Sequence, residues 1–273
     1  MHSTEVRGRY IPPPYLLPCP EEITERESLR KAKIAKRIEA NNIVGFMRFR
    51  DYGGSQPGRH SWILAGKPLY YWKMKVACDC KYLDKVIVFT DIKEALKMAE
   101  EMSDKFVPIE QSLTEALEPS YVFVDDLKTP QSRRITERTF EELAASIGLK
   151  DPVKVYLNVP SPLESTQSIT KLIEWYFGDD IAEVAMIATL TEGPHWTLDP
   201  RNPKYGMPLW YYFKARQMRP LLYRVGGSRI EMYPWHNRQR TLLVPIPEWE
   251  VFEVHSREDL ERAELFFNRR LKG

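Results

Sequence analysis

The sequence has few cysteines, no excess of charge of either sign and no long apolar run. It holds three cysteines, and 40 Lys and Arg against 38 Asp and Glu, in 273 residues, which gives a net charge of +2. Three thiols cannot build a disulfide scaffold and favour a reducing compartment, so we expect a cytoplasmic protein. The balanced charge gives no electrostatic case for nucleic acid, and the lack of an apolar run of about 20 residues argues against a membrane partner.

The chain is long enough for one large domain preceded by a shorter N-terminal part. Five prolines in residues 1–20 remove backbone donors and favour an extended arm. Residues 21–41 are charged and rich in good helix formers, with a thin apolar stripe, which predicts a surface helix. We therefore expect an arm and helix at residues 1–41 and a main domain at residues 42–273.

Short apolar runs that predict strands alternate with amphipathic stretches that predict helices. Strands are expected at residues 43–47, 86–89, 153–157, 183–189 and 249–254, and helices at 69–78, 91–102, 140–147, 169–176 and 256–267, with Asp91 as one helix N-cap. This alternation implies crossover connections and a mainly parallel α/β sheet. Between about residues 191 and 247, prolines, glycines and aromatics predict an excursion of short strands before the last strand, and their direction stays open.

The loop after the first predicted strand combines glycines with arginines. Ligands of open parallel sheets bind beyond the carboxyl ends of the strands, where this loop lies. The glycines let backbone N–H groups approach a ligand, and arginines neutralise phosphate oxygens. The residues concerned are Arg50, Gly53, Gly54, Ser55 and Arg59. Taken alone, a Gly-Gly-Ser tripeptide is most often an ordinary turn, and the arginines alone could form a solvated rim, so this loop by itself favours no ligand.

Three further motifs follow this loop in a recognisable order. They are Leu-Ala-Gly-Lys-Pro-Leu at residues 64–69 with the strand end Phe-Thr-Asp at 89–91, Asn-Val-Pro-Ser-Pro-Leu at 158–163, and Val-His-Ser-Arg-Glu-Asp-Leu at 254–260. Together the four motifs resemble those of the acylneuraminate and related sugar-acid cytidylyltransferases, over most of residues 43–270. The resemblance implies a Rossmann-like nucleotide-diphospho-sugar transferase sheet and a homodimer. It also implies transfer of CMP from CTP to a sugar acid or related acceptor, with release of pyrophosphate.

Position by position, the resemblance also implies site residues. The nucleotide would be bound by Arg50, Gly53, Gly54, Ser55, Arg59, His60 and Asn158, with Arg59 also catalytic. Asn158 has a second reading as the cap of a turn. The acceptor would lie near His195, where the family often has a His-Pro segment, and near Arg224.

The sequence departs from the family at the metal site. Where the family has two alternating aspartates that bind magnesium, the aligned positions hold Glu253 and His255. Side chains two positions apart on a strand face the same way, so both would reach one divalent cation, Mg²⁺ or Mn²⁺. Imidazole suits a transition metal better than magnesium. The alternative is that both are simply polar residues at a strand end.

This departure keeps two rival functions open beside the nucleotidyltransferase. One is a catalytically impaired nucleotide-binding homologue that acts as a partner subunit, which the altered pair at Glu253 and His255 allows. The other is a nucleotide-sugar-dependent glycosyltransferase, although no Asp-x-Asp motif stands at a mid-chain strand end. The expected ligands are a nucleoside triphosphate, with CTP as the donor, and a small sugar-acid-like acceptor.

Overall fold

The computed structural model describes residues 20–51, 56–117, 138–191, 196–199, 202–208, 222–231 and 241–272. Two 3-10 helices, Arg59–Ser61 and Glu248–Val251, accompany the main elements. In chain order, these are α1 (Pro20–Glu39), β1 (Ile43–Arg48), β2 (Ile63–Leu64), β3 (Lys67–Pro68), α2 (Leu69–Asp79), β4 (Lys85–Thr90), α3 (Lys93–Met102), β5 (Phe106–Glu110), α4 (Leu113–Leu117), α5 (Phe140–Ser146), β6 (Val153–Tyr156), α6 (Thr166–Gly178), β7 (Val184–Thr191), β8 (Trp196–Asp199), β9 (Asn202–Pro208), β10 (Leu222–Glu231), β11 (Thr241–Pro245) and α7 (Arg257–Lys272).

Seven strands of the described chain form one sheet in the order β11-β7-β10-β6-β1-β4-β5. Neighbours pair in parallel, except that β10 runs antiparallel to both β6 and β7. The mainly parallel α/β sheet predicted from the sequence is confirmed. The predicted excursion contributes more than expected, because its strands β10 and β11 complete the main sheet, while β8 and β9 form a separate antiparallel hairpin.

The order of the strands creates a switch point beside β1. From β1 the chain builds outward through β4 to β5, then returns to place β6 on the other side of β1. The loops that leave β1 and β6 therefore diverge at the carboxyl edge of the sheet. A crevice opens between such loops, and this is where α/β sheets bind ligands.

Helices cover both faces of the sheet with apolar residues. The larger core packs α2, α3 and α6 onto one face, around buried residues such as Met74, Val155 and Ile173. The opposite face packs α5 through Phe140 onto Phe46. A third cluster holds α7 and the β2–β3 turn beside the crevice, and it includes Leu64, Leu163, Val254 and Phe267. This cluster anchors the segment that carries Glu253 and His255.

The predicted surface helix, α1, packs along α6. An ideal Cβ on Gly178 would lie 3.2 Å from Cδ1 of Ile34, so the absence of a side chain there lets the helices approach closely. Lys33 and Arg37 donate hydrogen bonds to the carboxylate of Asp180 at 2.9–3.1 Å. The arm at residues 1–19 lies outside the described residues. Across the ranges given above, no helix is long and apolar enough to cross a membrane.

Two local predictions are wrong. Residues 249–254 do not form the last strand: Pro247 precedes a 3-10 helix at Glu248–Val251, and an extended segment without strand pairing follows it. Asp91 is not the N-cap of α3, which begins after Ile92. The carboxylate of Asp91 instead accepts the backbone N–H of Asp51 at 2.7 Å. It therefore joins the loops after β1 and β4 rather than closing a helix.

Candidate functional site

Four side chains from distant segments meet at the carboxyl edge of the sheet. Arg59 opens the 3-10 helix in the loop after β1, and Asn158 follows β6. Glu253 and His255 lie in the extended segment before α7, where buried Val254 between them donates a backbone hydrogen bond to Pro160 at 2.8 Å. This single bond and the burial of Val254 keep Glu253 and His255 on the crevice side without a strand.

A chain of hydrogen bonds links these side chains. Arg59 Nη1 lies 2.9 Å from Nδ1 of His255, and His255 Nε2 lies 2.8 Å from Oε2 of Glu253. Because a guanidinium only donates, Nδ1 of His255 accepts and its Nε2–H donates to Glu253. The other oxygen of Glu253 accepts from Asn158 Nδ2 at 2.8 Å and from the Gly227 N–H at 2.9 Å.

Arg59 is prepared to bind an additional anion. Burial lowers the pKa of its guanidinium, and the charge of Glu253 opposes that shift, so the group stays cationic at neutral pH. Its Nε is buried and has no hydrogen-bond partner among the described residues. A buried donor without a partner is costly, and phosphate oxygens match the fork of N–H groups on arginine. The position therefore suits a phosphate.

His60 and Arg50 stabilise the loop through hydrogen bonds within the protein. His60 Nδ1–H donates to the carbonyl of Arg50 at 2.9 Å, and the imidazole ring lies 5.6 Å from the ring of Phe49. Burial lowers the pKa of His60 to about 4, so it is neutral at neutral pH and supplies no charge to a phosphate. Arg50 Nη1 donates to the carbonyl of Ala116 at 2.7 Å, which ties this loop to α4.

Other predicted site residues are not described to the same extent. Gly53, Gly54, Ser55 and His195 lie outside the described residues. Arg224 is part of β10 and pairs with Thr189 of β7 through its backbone, while its side chain is outside the description. Their assigned roles stay predictions.

The bulge in β10 was not predicted from the sequence. The register between β7 and β10 shifts between Val225 and Arg229, and Gly227 has a φ of +78°. The bulge points the N–H of Gly227 at Glu253. The signal was present as a second Gly-Gly-Ser, at residues 226–228, because glycines inside a strand mark bulges and close approaches.

Glu253 and His255 meet, but their donor atoms already serve protein partners. Both oxygens of Glu253 and both ring nitrogens of His255 are hydrogen-bonded. A divalent cation between them would displace these bonds and lie against the charge of Arg59. In the part of the chain that the structure describes, no group of three or more His, Cys, Asp and Glu is placed to hold a metal. As arranged, the pair does not fit a cation and instead holds Arg59.

Residues 62–174 match the family model described as cytidylyltransferase. This part of the chain is similar to cytidylyltransferases. The matched residues include the β2–β3 turn, α2, β4 and the segment after β6 that carries Asn158. The match agrees with the family predicted from the four motifs and with the predicted enzyme class, a nucleotidyltransferase. No curated protein sequence matches the chain.

Solved structures share the fold of this domain. A 4-diphosphocytidyl-2C-methyl-D-erythritol synthase from Anaerococcus prevotii is 11% identical with a TM-score of 0.56, covering 85% of this chain and 99% of that one. A CMP:2-keto-3-deoxy-manno-octonic acid synthetase complexed with CTP is 12% identical with a TM-score of 0.53, covering 84% and 99%. At such identities the likeness confirms the fold.

Proposed function

We propose that the chain transfers CMP from CTP to a sugar acid or a related acceptor and releases pyrophosphate. The oxygen of an acceptor hydroxyl forms a bond to the α-phosphorus, and the bond from that phosphorus to the oxygen bridging to the β-phosphate breaks. Pyrophosphate leaves, and the hydroxyl proton passes to solvent. The observation that carries the proposal is the position of Arg59 in the loop after β1, just before the residues that match the cytidylyltransferase model. Its cationic guanidinium, with an unpartnered Nε among the described residues, lies at the carboxyl edge where the sheet switches direction.

Catalysis in this proposal comes from positioning and charge neutralisation. Arg59 binds phosphate oxygens and stabilises the charge that develops on the leaving pyrophosphate. His255 and Glu253 hold the guanidinium in place, and Asn158 fixes Glu253. The same loop is proposed to bind the nucleotide through backbone N–H groups of Gly53, Gly54 and Ser55. Arg50 and His60 are proposed to bind it as well.

The acceptor is the less constrained half of the proposal. Two proteins with this fold are named as synthases of different compounds: one of 4-diphosphocytidyl-2C-methyl-D-erythritol, the other of CMP:2-keto-3-deoxy-manno-octonic acid. His195 and Arg224 are proposed to bind the acceptor, the arginine through a carboxylate. A homodimer and a cytoplasmic location complete the proposal, and sedimentation of the purified chain tests the first of these.

The test measures pyrophosphate release with each of the four nucleoside triphosphates across a panel of sugar acids and sugar-alcohol phosphates. Each mixture is run with Mg²⁺, with Mn²⁺ and with a chelator. Arg59→Ala is compared with Arg262→Ala, which removes an exposed arginine of α7 that pairs with Glu258. Loss of a donor that stabilises a transition state costs about 10²–10³-fold in kcat, so Arg59→Ala should fall by that amount and Arg262→Ala should not.

Each outcome selects one function. Release that requires CTP and one class of acceptor supports the proposal. Triphosphate binding without release under any condition would instead support a catalytically impaired partner subunit. Cleavage of a preformed nucleotide sugar would support a glycosyltransferase. Release that persists in the chelator would show that Arg59 and its neighbours act without a divalent cation.

A further inference from the structure

A buried ion pair lies beneath the candidate site. Lys73 of α2 donates to Glu164, which precedes α6, and neither side chain is exposed to solvent. Burying two charges removes them from water at a cost of several kcal/mol each, and well-packed apolar residues are often equally stable in such a place. Stability alone therefore does not explain why charged residues occupy these two positions.

Glu164 does more than neutralise Lys73. Its Oε1 accepts the backbone N–H of Ser228 at 2.7 Å, and its Oε2 accepts the Ser228 hydroxyl at 2.6 Å. Gly227, the preceding residue, packs so closely that an ideal Cβ would overlap Oε1 and lie 3.0 Å from Cδ of Glu164. The carboxylate therefore fixes the bulge of β10 from below.

The bulge is held between two carboxylates by consecutive N–H groups. The Ser228 N–H donates to buried Glu164, and the Gly227 N–H donates to Glu253 in the crevice. The Ser228 hydroxyl also accepts the backbone N–H of Asn158 at 3.1 Å. Asn158 in turn donates its side-chain amide to Glu253. The two groups that donate to Oε1 of Glu253, the Gly227 N–H and the Asn158 amide, are thus both positioned by Ser228.

We infer that Lys73 and Glu164 are positioning residues for nucleotidyl transfer. Lys73 donates to Glu164 and holds it in place, and Glu164 positions the bulge. The bulge and Asn158 then set Glu253, which orients His255 and Arg59. The inference rests on the proposed function for its catalytic consequence, while the positioning of the bulge is a property of the free protein.

Two double variants separate positioning from stability. Lys73→Met with Glu164→Gln removes both charges and keeps an oxygen that accepts the Ser228 N–H. Lys73→Met with Glu164→Leu removes the charges and the acceptor together. Both avoid a lone buried charge, so both should fold. Met74→Ala, a cavity variant of the neighbouring core residue on α2, is the matched control for general destabilisation.

The variants are compared by kcat, by thermal midpoint and by hydrogen exchange at Gly227 and Ser228. We expect the glutamine variant to keep most of kcat and the leucine variant to lose about tenfold or more, since small misplacements in a site cost 10–100-fold. Exchange at both amides should accelerate only in the leucine variant. Equal kcat and equal exchange in the two double variants would overturn the inference.

The outcomes also separate this inference from the proposed function. If the wild-type chain releases no pyrophosphate, the proposed function fails, and the exchange rates alone decide whether Glu164 positions the bulge. If activity is present and Met74→Ala loses as much kcat as the leucine variant, the ion pair has only a structural role and the inference fails.

Discussion

Replacing Gly227 by alanine tests the most crowded point beneath the site. The substitution places a side chain at a φ of +78°, where an L residue costs about 1–2 kcal/mol. The new Cβ would also overlap Oε1 of Glu164, a buried backbone-bonded carboxylate that moves only by leaving Ser228 and Lys73. Breaking a buried pair costs about 3–5 kcal/mol, so we expect a total of roughly 4–7 kcal/mol.

Gly148→Ala is the control that isolates the backbone contribution. Gly148 has a φ of +77°, and nothing lies within 4 Å of its ideal Cβ. Urea denaturation of both variants and of the wild type at neutral pH gives the free energies of unfolding. Gly148→Ala should lose only about 1–2 kcal/mol. If the two alanine variants lose the same free energy, the packing of Glu164 against the bulge carries no energetic weight and the reasoning is refuted.

Three further predictions concern pH and metal. Burial lowers the pKa of His60 to about 4, so as pH falls the imidazole is protonated in the unfolded chain before it is protonated in the folded chain. The free energy of unfolding should therefore fall as pH drops from about 6.5 to 4. In urea denaturation at a series of pH values, His60→Asn should make this part of the pH dependence flatter. Burial would raise the pKa of Glu115, but hydrogen bonds led by that of Arg138 outweigh it and lower the pKa to about 2. The stability from these hydrogen bonds should be present above about pH 4.5 and be lost as pH falls towards 2. Arg138→Met should weaken that dependence without abolishing it, because the backbone N–H groups of Ser112 and residue 138 still donate to Glu115. Titration of Mn²⁺ into the nucleotide-free protein should give the same Mn²⁺ affinity for wild type, Glu253→Ala and His255→Ala, because both side chains are already hydrogen-bonded within the protein. A loss of affinity in either variant would support the metal-ligand assignment made from the sequence.

The regular half of the fold is predictable because its signals are local. Continuous apolar runs mark β1 and β4, which are buried on both faces, and amphipathic spacing marks α3 and α6. Ser256 and Asp259 start α7 near the predicted position, with the Asp259 N–H donating to Ser256 Oγ at 3.1 Å. The place of β10 and β11 was not predictable, because pairing with β6 and β7 is a long-range choice that aromatic-rich sequence does not encode by periodicity.

The candidate site divides in the same way. The resemblance brought Arg59, Asn158, Glu253 and His255 together, and the structure places them in one hydrogen-bonded chain. The sequence did not indicate that Lys73 is buried near the site, because a lysine on an amphipathic helix normally faces solvent. Its partner, Glu164, lies 91 residues away, and only the folded chain shows that the two meet without exposure to water.

The hydrogen bonds around Glu253 explain how Arg59 can bind a phosphate while His255 holds it. Its only described side-chain hydrogen bond is to His255, at 2.9 Å, and His255 is largely exposed, with 56% of its side chain accessible. Glu253 does not compete for Arg59, because it accepts from the N–H of Gly227, the amide of Asn158 and the Nε2–H of His255. The Nε of Arg59 is therefore available to a phosphate while Nη1 stays bonded to His255. An incoming triphosphate therefore competes for the arginine against one exposed imidazole rather than against a carboxylate, and this favours anion binding at the carboxyl edge of the sheet.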